Sequence, residues 1–226
     1  MEIRQLKDHF YSIEEGHVRC FLAVGEHEAL VIDAGIEKGL KEKVRTVTDL
    51  PLRLILTHAD PDHTTAASEF DTVLAHPSEM AYLRSRQKEV LRPQPVWEGD
   101  HFDLGRFDFE VILIPGHTPG SIALLERKHR FLLSGDSVQN GVIYLFGDAR
   151  NDEAFISSMH KLRRRQEEFD LISGSHGTVE VPLCRIDQCR EMVERIQSGQ
   201  LNGVIADRFD NGVCEFHWKE AGCYHF

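Results

Sequence analysis

The stretch over residues 54–63, LILTHADPDH, constrains this chain more than any other. Leu54, Ile55 and Leu56 form a short apolar run that reads as the end of a buried parallel strand. The run breaks at once into His58, Asp60, Pro61, Asp62 and His63. A hydrolytic metal site needs imidazoles and carboxylates carried on a loop at the end of a rigid strand. In an extended loop His58 and Asp60 stand two apart and point to the same side. Asp62 and His63 then turn toward a second metal. One His-x-Asp alone is usually a polar turn, but four such side chains in six residues point to metal chemistry.

The rest of the composition narrows the partners. A chain of 226 residues with 41% hydrophobic residues has material for a substantial core, and a single domain over residues 1–226 is expected. The formal net charge is -11, and Arg163, Arg164 and Arg165 make the longest basic run, so a nucleic-acid partner is disfavoured. Five cysteines without a Cys-x-x-Cys pair read as reduced thiols, not as a disulfide framework or a structural zinc site. The start, MEIRQLKDHF, has no apolar signal core, and no 18-residue apolar run occurs. The expectation is a soluble cytoplasmic protein, without a membrane partner, that acts on a small molecule.

Along the chain, residues 10–34 read as a meander of short strands, with 18–24 and 29–32 apolar and β-branched. A surface helix is expected over 37–47, a strand over 51–56, a short helix over 64–70 and a strand over 72–75. Pro77 opens a helix that runs to 86, and 87–100, with Pro93 and Pro95, reads as an irregular loop, either mobile or substrate-facing. Strands follow at 107–114, 121–126, 130–133 and 169–172. Helices are expected at 152–165, with Phe155, Met159 and Leu162 as its apolar stripe, and at 183–198, closed by Gly199. A terminal strand pair is expected around Asp210, Asn211 and Gly212. Strands alternating with helices in both halves point to an α+β protein, an αββα sandwich of two mixed sheets with helices outside.

Further strand ends carry polar residues that a plain turn does not require. PGHTPG follows the strand ending at Ile114, SGD follows Leu133, and SGSHG follows Ile172. In each, glycines flank one His or Asp and let the backbone turn tightly around a single outward ligand. Taken with HADPDH at 58–63, GHTPGS at 116–121, SGD at 134–136 and SGSHG at 173–177, the chain resembles the metallo-β-lactamase fold superfamily. The N-terminal meander ending at Ile32, Asp33, Ala34 and Gly35 fits the same pattern.

The resemblance implies two divalent metal ions, zinc first among them. His58, Asp60 and His117 would hold one, Asp62, His63 and His176 the other, and Asp136 would bridge. It also implies a hydroxide between the metals as nucleophile, with Asp62 orienting it and passing a proton to the leaving group. Asp33 matches a position that supports the ligand loop by hydrogen bonds. Two departures stand out: Asp60 where most of the family has histidine, and Thr64, Thr65 and Ala66 where a glycine pair is common. A carboxylate at 60 adds negative charge, raises the pKa of bound water and favours harder ions such as iron or manganese. The flavodiiron branch has a glutamate there, and that analogy reaches the site only.

The expected function is metal-dependent hydrolysis of a small ester, lactone, thioester or related substrate. A di-iron or mono-iron redox enzyme, or a metal-binding protein whose first site Asp60 has disabled, are the alternatives. A secreted β-lactamase is disfavoured by the want of an export signal, a glyoxalase II of the usual length by the short stretch after 198, and an RNA-processing nuclease by the acidity and the lack of a large inserted domain. His76 reads as structural. Tyr144 and Arg150 are weak candidates for facing substrate.

Overall fold

The computed structural model describes residues 1–86, 93–207, 209 and 213–226. The chain divides into two compact units, Met1–Ile112 with Leu124–His129, and Leu113–Ala123 with Arg130–Phe226.

In the first unit, β1 (Glu2–Lys7), β2 (Phe10–Glu15), β3 (Val18–Val24), β4 (Ala29–Ile32), β5 (Leu52–Ile55), β6 (Val73–Ala75) and β7 (Gln94–Pro95) lie side by side in chain order. Neighbours from β1 to β4 are antiparallel and need only tight turns, at His9 (φ 58) and Gly16 (φ 64) among them. From β4 to β7 they are parallel, and the crossovers carry α1 (Leu40–Arg45) and α2 (Met80–Arg86). β3 shows why this sheet forms here. Cys20 and Leu22 enter a core with Ile13, Val31, Leu54 and the α1 residues Leu40 and Val44. Phe21 faces the other way, stacked on Phe10 at 5.8 Å, and Phe10 meets Phe107 at 6.0 Å. Phe107 precedes β9 (Asp108–Leu113), which pairs antiparallel with β8 (His101–Asp103). A strand covered on both faces needs apolar residues at nearly every position, and the run 18–24 supplies them. β10 (Ile122–Glu126) is buried along its whole length.

In the second unit, β11 (Phe131–Gly135) runs parallel to β13 (Leu171–Gly174), with α3 (Asp152–Arg164) on the connection between them. The expected stripe of α3 is its buried face, Phe155, Met159 and Leu162, and α3 packs on α4 (Arg185–Gln197). Gly199, at φ 67, follows the end of α4. A mixed sheet in the order β12 (Val142–Tyr144), β16 (Ala221–His225), β15 (Cys214–Trp218), β14 (Val204–Ile205) packs on α4 through β15 and β16. Arg195 lies over the Trp218 ring at 3.8 Å and ties the two together.

Several expectations change. Residues 64–70 hold no α-helix; 3-10 turns at Pro61–His63 and Ala67–Glu69 stand there instead. The reason is competition: the Thr65 and Ala66 amides donate to the Gly35 and Ala34 carbonyls, so no helical ladder takes them. β1 and β12 had no clear sequence signal, β1 because most of its residues are exposed. Within the loop expected at 87–100, residues 87–92 lie outside the described residues, and β7 occupies 94 and 95. The turn expected at 210–212 also lies outside them; the strands flanking it, β14 and β15, pair. A second hairpin joins β15 to β16 at Lys219 (φ 55). Among the described residues, no helix is long and apolar enough to cross a membrane.

Candidate metal centre

β4 and β5 are parallel, with Ile32 opposite Ile55, so the chain leaves both strands at the same end. Asp33 follows β4 at φ 65, an uncommon conformation for a residue with a Cβ. Its carboxylate accepts the Thr57 amide at 2.7 Å and the Thr57 hydroxyl at 2.8 Å. The same Oδ2 accepts from His63 Nδ1 at 2.8 Å. These bonds set the histidine tautomers. A carboxylate only accepts, so His63 carries its proton on Nδ1. The single hydroxyl proton of Thr57 is spent on Asp33, so the Thr57 oxygen, 3.0 Å from His58 Nδ1, accepts from that ring as well. Both imidazoles therefore present Nε2 as a lone-pair atom. They are 1% and 0% exposed, with ring centres 4.0 Å apart.

The carboxylates of the loop face these nitrogens. Asp60 Oδ2 lies 3.7 Å from His58 Nε2, and Asp62 Oδ2 lies 3.8 Å from His63 Nε2. Asp60 is thus turned toward the His58 ring, and not away from it. Asp62 is the more open of the two, its side chain 28% exposed. The threonines that replace the glycine pair serve this loop: Thr64 and Thr65 hydroxyls donate to the Asp60 and Pro61 carbonyls at 3.2 and 3.0 Å. The Ala59 amide donates to the buried Glu79 carboxylate at 2.7 Å.

The second unit carries the other expected ligands on glycine-flanked loops. Gly116 (φ 138) precedes His117, whose Nδ1 donates to the Tyr144 carbonyl at 2.9 Å. A carbonyl cannot donate, so this ring too presents Nε2. Asp136 follows Gly135 (φ 53) at the end of β11, and the Ser175 amide donates to the Gly135 carbonyl at 3.1 Å. Within this unit Asp136 Oδ2 lies 3.8 Å from His117 Nε2 and 3.2 Å from His176 Nε2.

The donor set of each unit fits a divalent ion. Two ligand atoms bound to one tetrahedral zinc at about 2.0–2.1 Å lie about 3.3 Å apart. The nitrogen–oxygen separations are 3.7 and 3.8 Å in the first unit and 3.8 and 3.2 Å in the second, each within about 0.5 Å of that spacing. Each supporting Nδ1 contact is the outer hydrogen bond that a metal-binding histidine normally makes. Burial pushes the Cys189 thiol up to about 12 and the Cys20 and Cys223 thiols well up, so these three buried thiols are poor nucleophiles.

The sequence model of the metallo-beta-lactamase superfamily matches residues 13–176. The chain belongs to the metallo-β-lactamase superfamily. The acyl-coenzyme A thioesterase MBLAC2 of Homo sapiens is 28% identical to it, over 97% of this chain and 85% of the relative. Hydroxyacylglutathione hydrolase GloC of Haemophilus influenzae is 29% identical, over 68% of this chain and 82% of the relative. Among solved structures, the metallo-beta-lactamase from Pontibacter korlensis matches with a TM-score of 0.73 at 14% identity, covering 85% of this chain and 98% of that one. The fold is that of the metallo-β-lactamases, in the α+β class, and the chain is a hydrolase of that fold.

For this superfamily member, sequence reasoning named the ligand candidates and Asp33 but missed what holds them. Thr57 relays between Asp33 and His58, and its only signal was a hydroxyl beside the motif. Glu79 and the Tyr144 carbonyl had no signal at all. The Tyr144 ring packs against Phe146, Phe209 and Tyr224 at 5.7, 6.0 and 5.1 Å. Arg150 is half-buried and lines a cavity of about 300 Å³ with Phe146, Asp152 and His225. His76 is structural as expected, its Nδ1 accepting the Ser78 amide at 3.3 Å.

Proposed function

We propose that this chain is a metal-dependent hydrolase of small acyl thioesters. His58, Asp60 and His117 would hold one divalent ion, Asp62, His63 and His176 a second, with Asp136 shared, and zinc is the first choice. The observation that carries this reading is the hydrogen-bond chain from Asp33 through Thr57, which leaves Nε2 of His58 and His63 as buried lone-pair atoms. The thioester class is supported by the two relatives named for acyl-coenzyme A and hydroxyacylglutathione hydrolysis. A cytoplasmic location fits the buried reduced thiols of Cys20, Cys189 and Cys223.

Bound divalent ions supply Lewis acidity and bring a water's pKa toward neutrality. The protein's share is positional. Asp33 fixes two rings, the Tyr144 carbonyl fixes a third, and burial keeps bulk water from their ligand atoms. Asp62, the more open carboxylate of the loop, would orient the attacking water and take its proton. The carbon–sulfur bond of the substrate breaks, the carboxylic acid forms, and the proton passes to the departing sulfur. A thiol ionises at about 8.5, so the departing thiolate needs little help and one weak acid suffices.

The test joins metal analysis to turnover. Protein purified without added metal should contain zinc and release thiol from an acyl-coenzyme A substrate. His117→Ala and Asp136→Ala should each lose bound metal and at least about 100-fold in rate. Full turnover by the Asp136 variant would end the shared-ligand mechanism. Asp60 supports a second reading, because its carboxylate faces His58 Nε2 at 3.7 Å and favours a harder ion. Iron in the purified protein, with absorbance that changes on reduction and no thioester turnover, would move the assignment to redox chemistry. One metal per chain that becomes two in Asp60→His would show that Asp60 disables the first position.

A further inference from the structure

We propose that Glu79 is a positioning residue that sets His58 and Asp60 for metal binding; this rests on the metal-dependent reading above. Two buried carboxylates take the two main-chain amides that bracket His58. Asp33 accepts from Thr57 at 2.7 Å, and Glu79 accepts from Ala59 at 2.7 Å. Asp33 also fixes side chains, and the Glu79 contact falls on the backbone between the two candidate ligands. Glu79 is 1% exposed. A carboxylate so far from water is costly unless hydrogen-bonded, and an apolar side chain would fill the space more cheaply. What the carboxyl group adds is an oxygen acceptor for the Ala59 amide.

The base that presents Glu79 is rigid. β6 pairs with β5 through Leu74 and Ile55, and the Leu56 amide donates to the Leu74 carbonyl at 2.9 Å. Directly after β6, Pro77 opens the 3-10 turn that ends at Glu79. The Glu79 amide donates back to the His76 carbonyl at 2.9 Å, and the His76 ring caps Ser78. The strand that delivers His58 and the turn that delivers Glu79 therefore rise from adjacent, hydrogen-bonded strands. With Ala59 held, the neighbouring side chains at 58 and 60 keep a common direction, as an extended backbone dictates. A metal site tolerates ligand errors of only about 0.5 Å, so a loose amide at this point is felt at the ion.

The test uses zinc ion alone as probe, with its affinity for the full-length chain measured by competition with a chromophoric chelator. Glu79→Ala should weaken zinc binding about 10- to 100-fold, the range for lost supporting contacts. Glu79→Gln keeps an oxygen acceptor for Ala59 and should restore binding to within a few-fold. Glu69→Gln is the control, because Glu69 accepts the Gly39 and Lys41 amides at 2.7 and 3.0 Å and anchors α1 instead. It should lower the thermal midpoint and leave zinc affinity unchanged. Zinc binding by Glu79→Ala equal to that of the unaltered chain overturns the proposal. If Glu79→Ala does not fold, Glu79→Asp, one methylene too short, replaces it with the same expectation. If the unaltered chain takes up no zinc, the metal reading falls, and amide exchange of the metal-free protein decides the role of Glu79. Ala59 exchange about 100-fold faster in the variant, with Leu56 unchanged, upholds the positioning role, and unchanged Ala59 exchange overturns it.

Discussion

Asp33 decides the tautomer of two rings, His58 and His63, that lie 25 and 30 residues beyond it in sequence. It accepts from His63 directly and from Thr57, which in turn accepts from His58. A single carboxylate thus leaves both Nε2 atoms basic. Asp33→Asn keeps the size but puts an NH2 donor where one oxygen was, so one of these bonds fails. Zinc affinity is expected to fall about 10- to 100-fold in chelator competition. Urea unfolding of the metal-free variant should show a loss of about 1–3 kcal/mol from the buried group left unpaired. Zinc affinity equal to the unaltered protein would remove Asp33 from the site's support.

The start of α3 works at the scale of the element. The Asn151 side chain caps the Ala154 amide at 2.8 Å, and the Asn151 amide donates to the Gly116 carbonyl at 2.9 Å. The helix is pinned in this way to the residue before His117. Gly116 itself sits at φ 138, and a Cβ there would come within 2.4 to 2.5 Å of Phe155 backbone and Cβ atoms. Gly116→Ala must push the His117 loop away from α3, so both bound metal and thermal midpoint should fall, with about 1–3 kcal/mol lost. A variant with normal metal content and normal melting would contradict this packing.

The same helix start is tied to β16 by Asp152 and His225, 2.9 Å apart. The Asp152 hydrogen bond holds the His225 imidazole above the usual histidine range, against an opposing effect of burial. A histidine whose folded pKa is raised stabilises fully below its unfolded value, about 6.5, and the contribution is lost as pH rises through the folded pKa. His225→Gln should therefore cost more stability at pH 6 than at pH 8, measured by urea unfolding at both. Its bound metal should match the unaltered protein. A stability cost that grows with pH would reverse the assignment.

On the proposed metal-dependent reading, ion binding is linked to folding, because an unfolded chain holds no preformed ligand set. Zinc at 100 times its dissociation constant should add about 2.7 kcal/mol to stability, read as a rise in the thermal midpoint. Stripping with a chelator should lower that midpoint and abolish thioester turnover, and zinc should restore both. A melting temperature indifferent to zinc would mean that no assembled site exists in the folded protein.

The ligand candidates were legible because each stands in a local pattern, a buried strand ending in a glycine- or proline-flanked His or Asp. The strands at 18–24 and 29–32 and the apolar face of α3 were legible for the same reason, since burial imposes a period on neighbouring residues. Of the supports, Asp33 alone was, and only through the family resemblance; the contacts were not. Asp33 and Thr57 are 24 residues apart, Ala59 and Glu79 are 20 apart, and His117 and Tyr144 are 27 apart. Such hydrogen bonds leave no periodic trace, and one of the partners is often a backbone group common to every residue. Nor did local propensity reveal that the Thr65 and Ala66 amides go to the Asp33 loop and so abolish the helix expected at 64–70. The sequence by itself narrowed the metal-ligand candidates to a few strand ends and marked which runs had to be buried. Only the tertiary structure decided which ring nitrogen each histidine presents, because that choice belongs to acceptors brought in from distant parts of the chain.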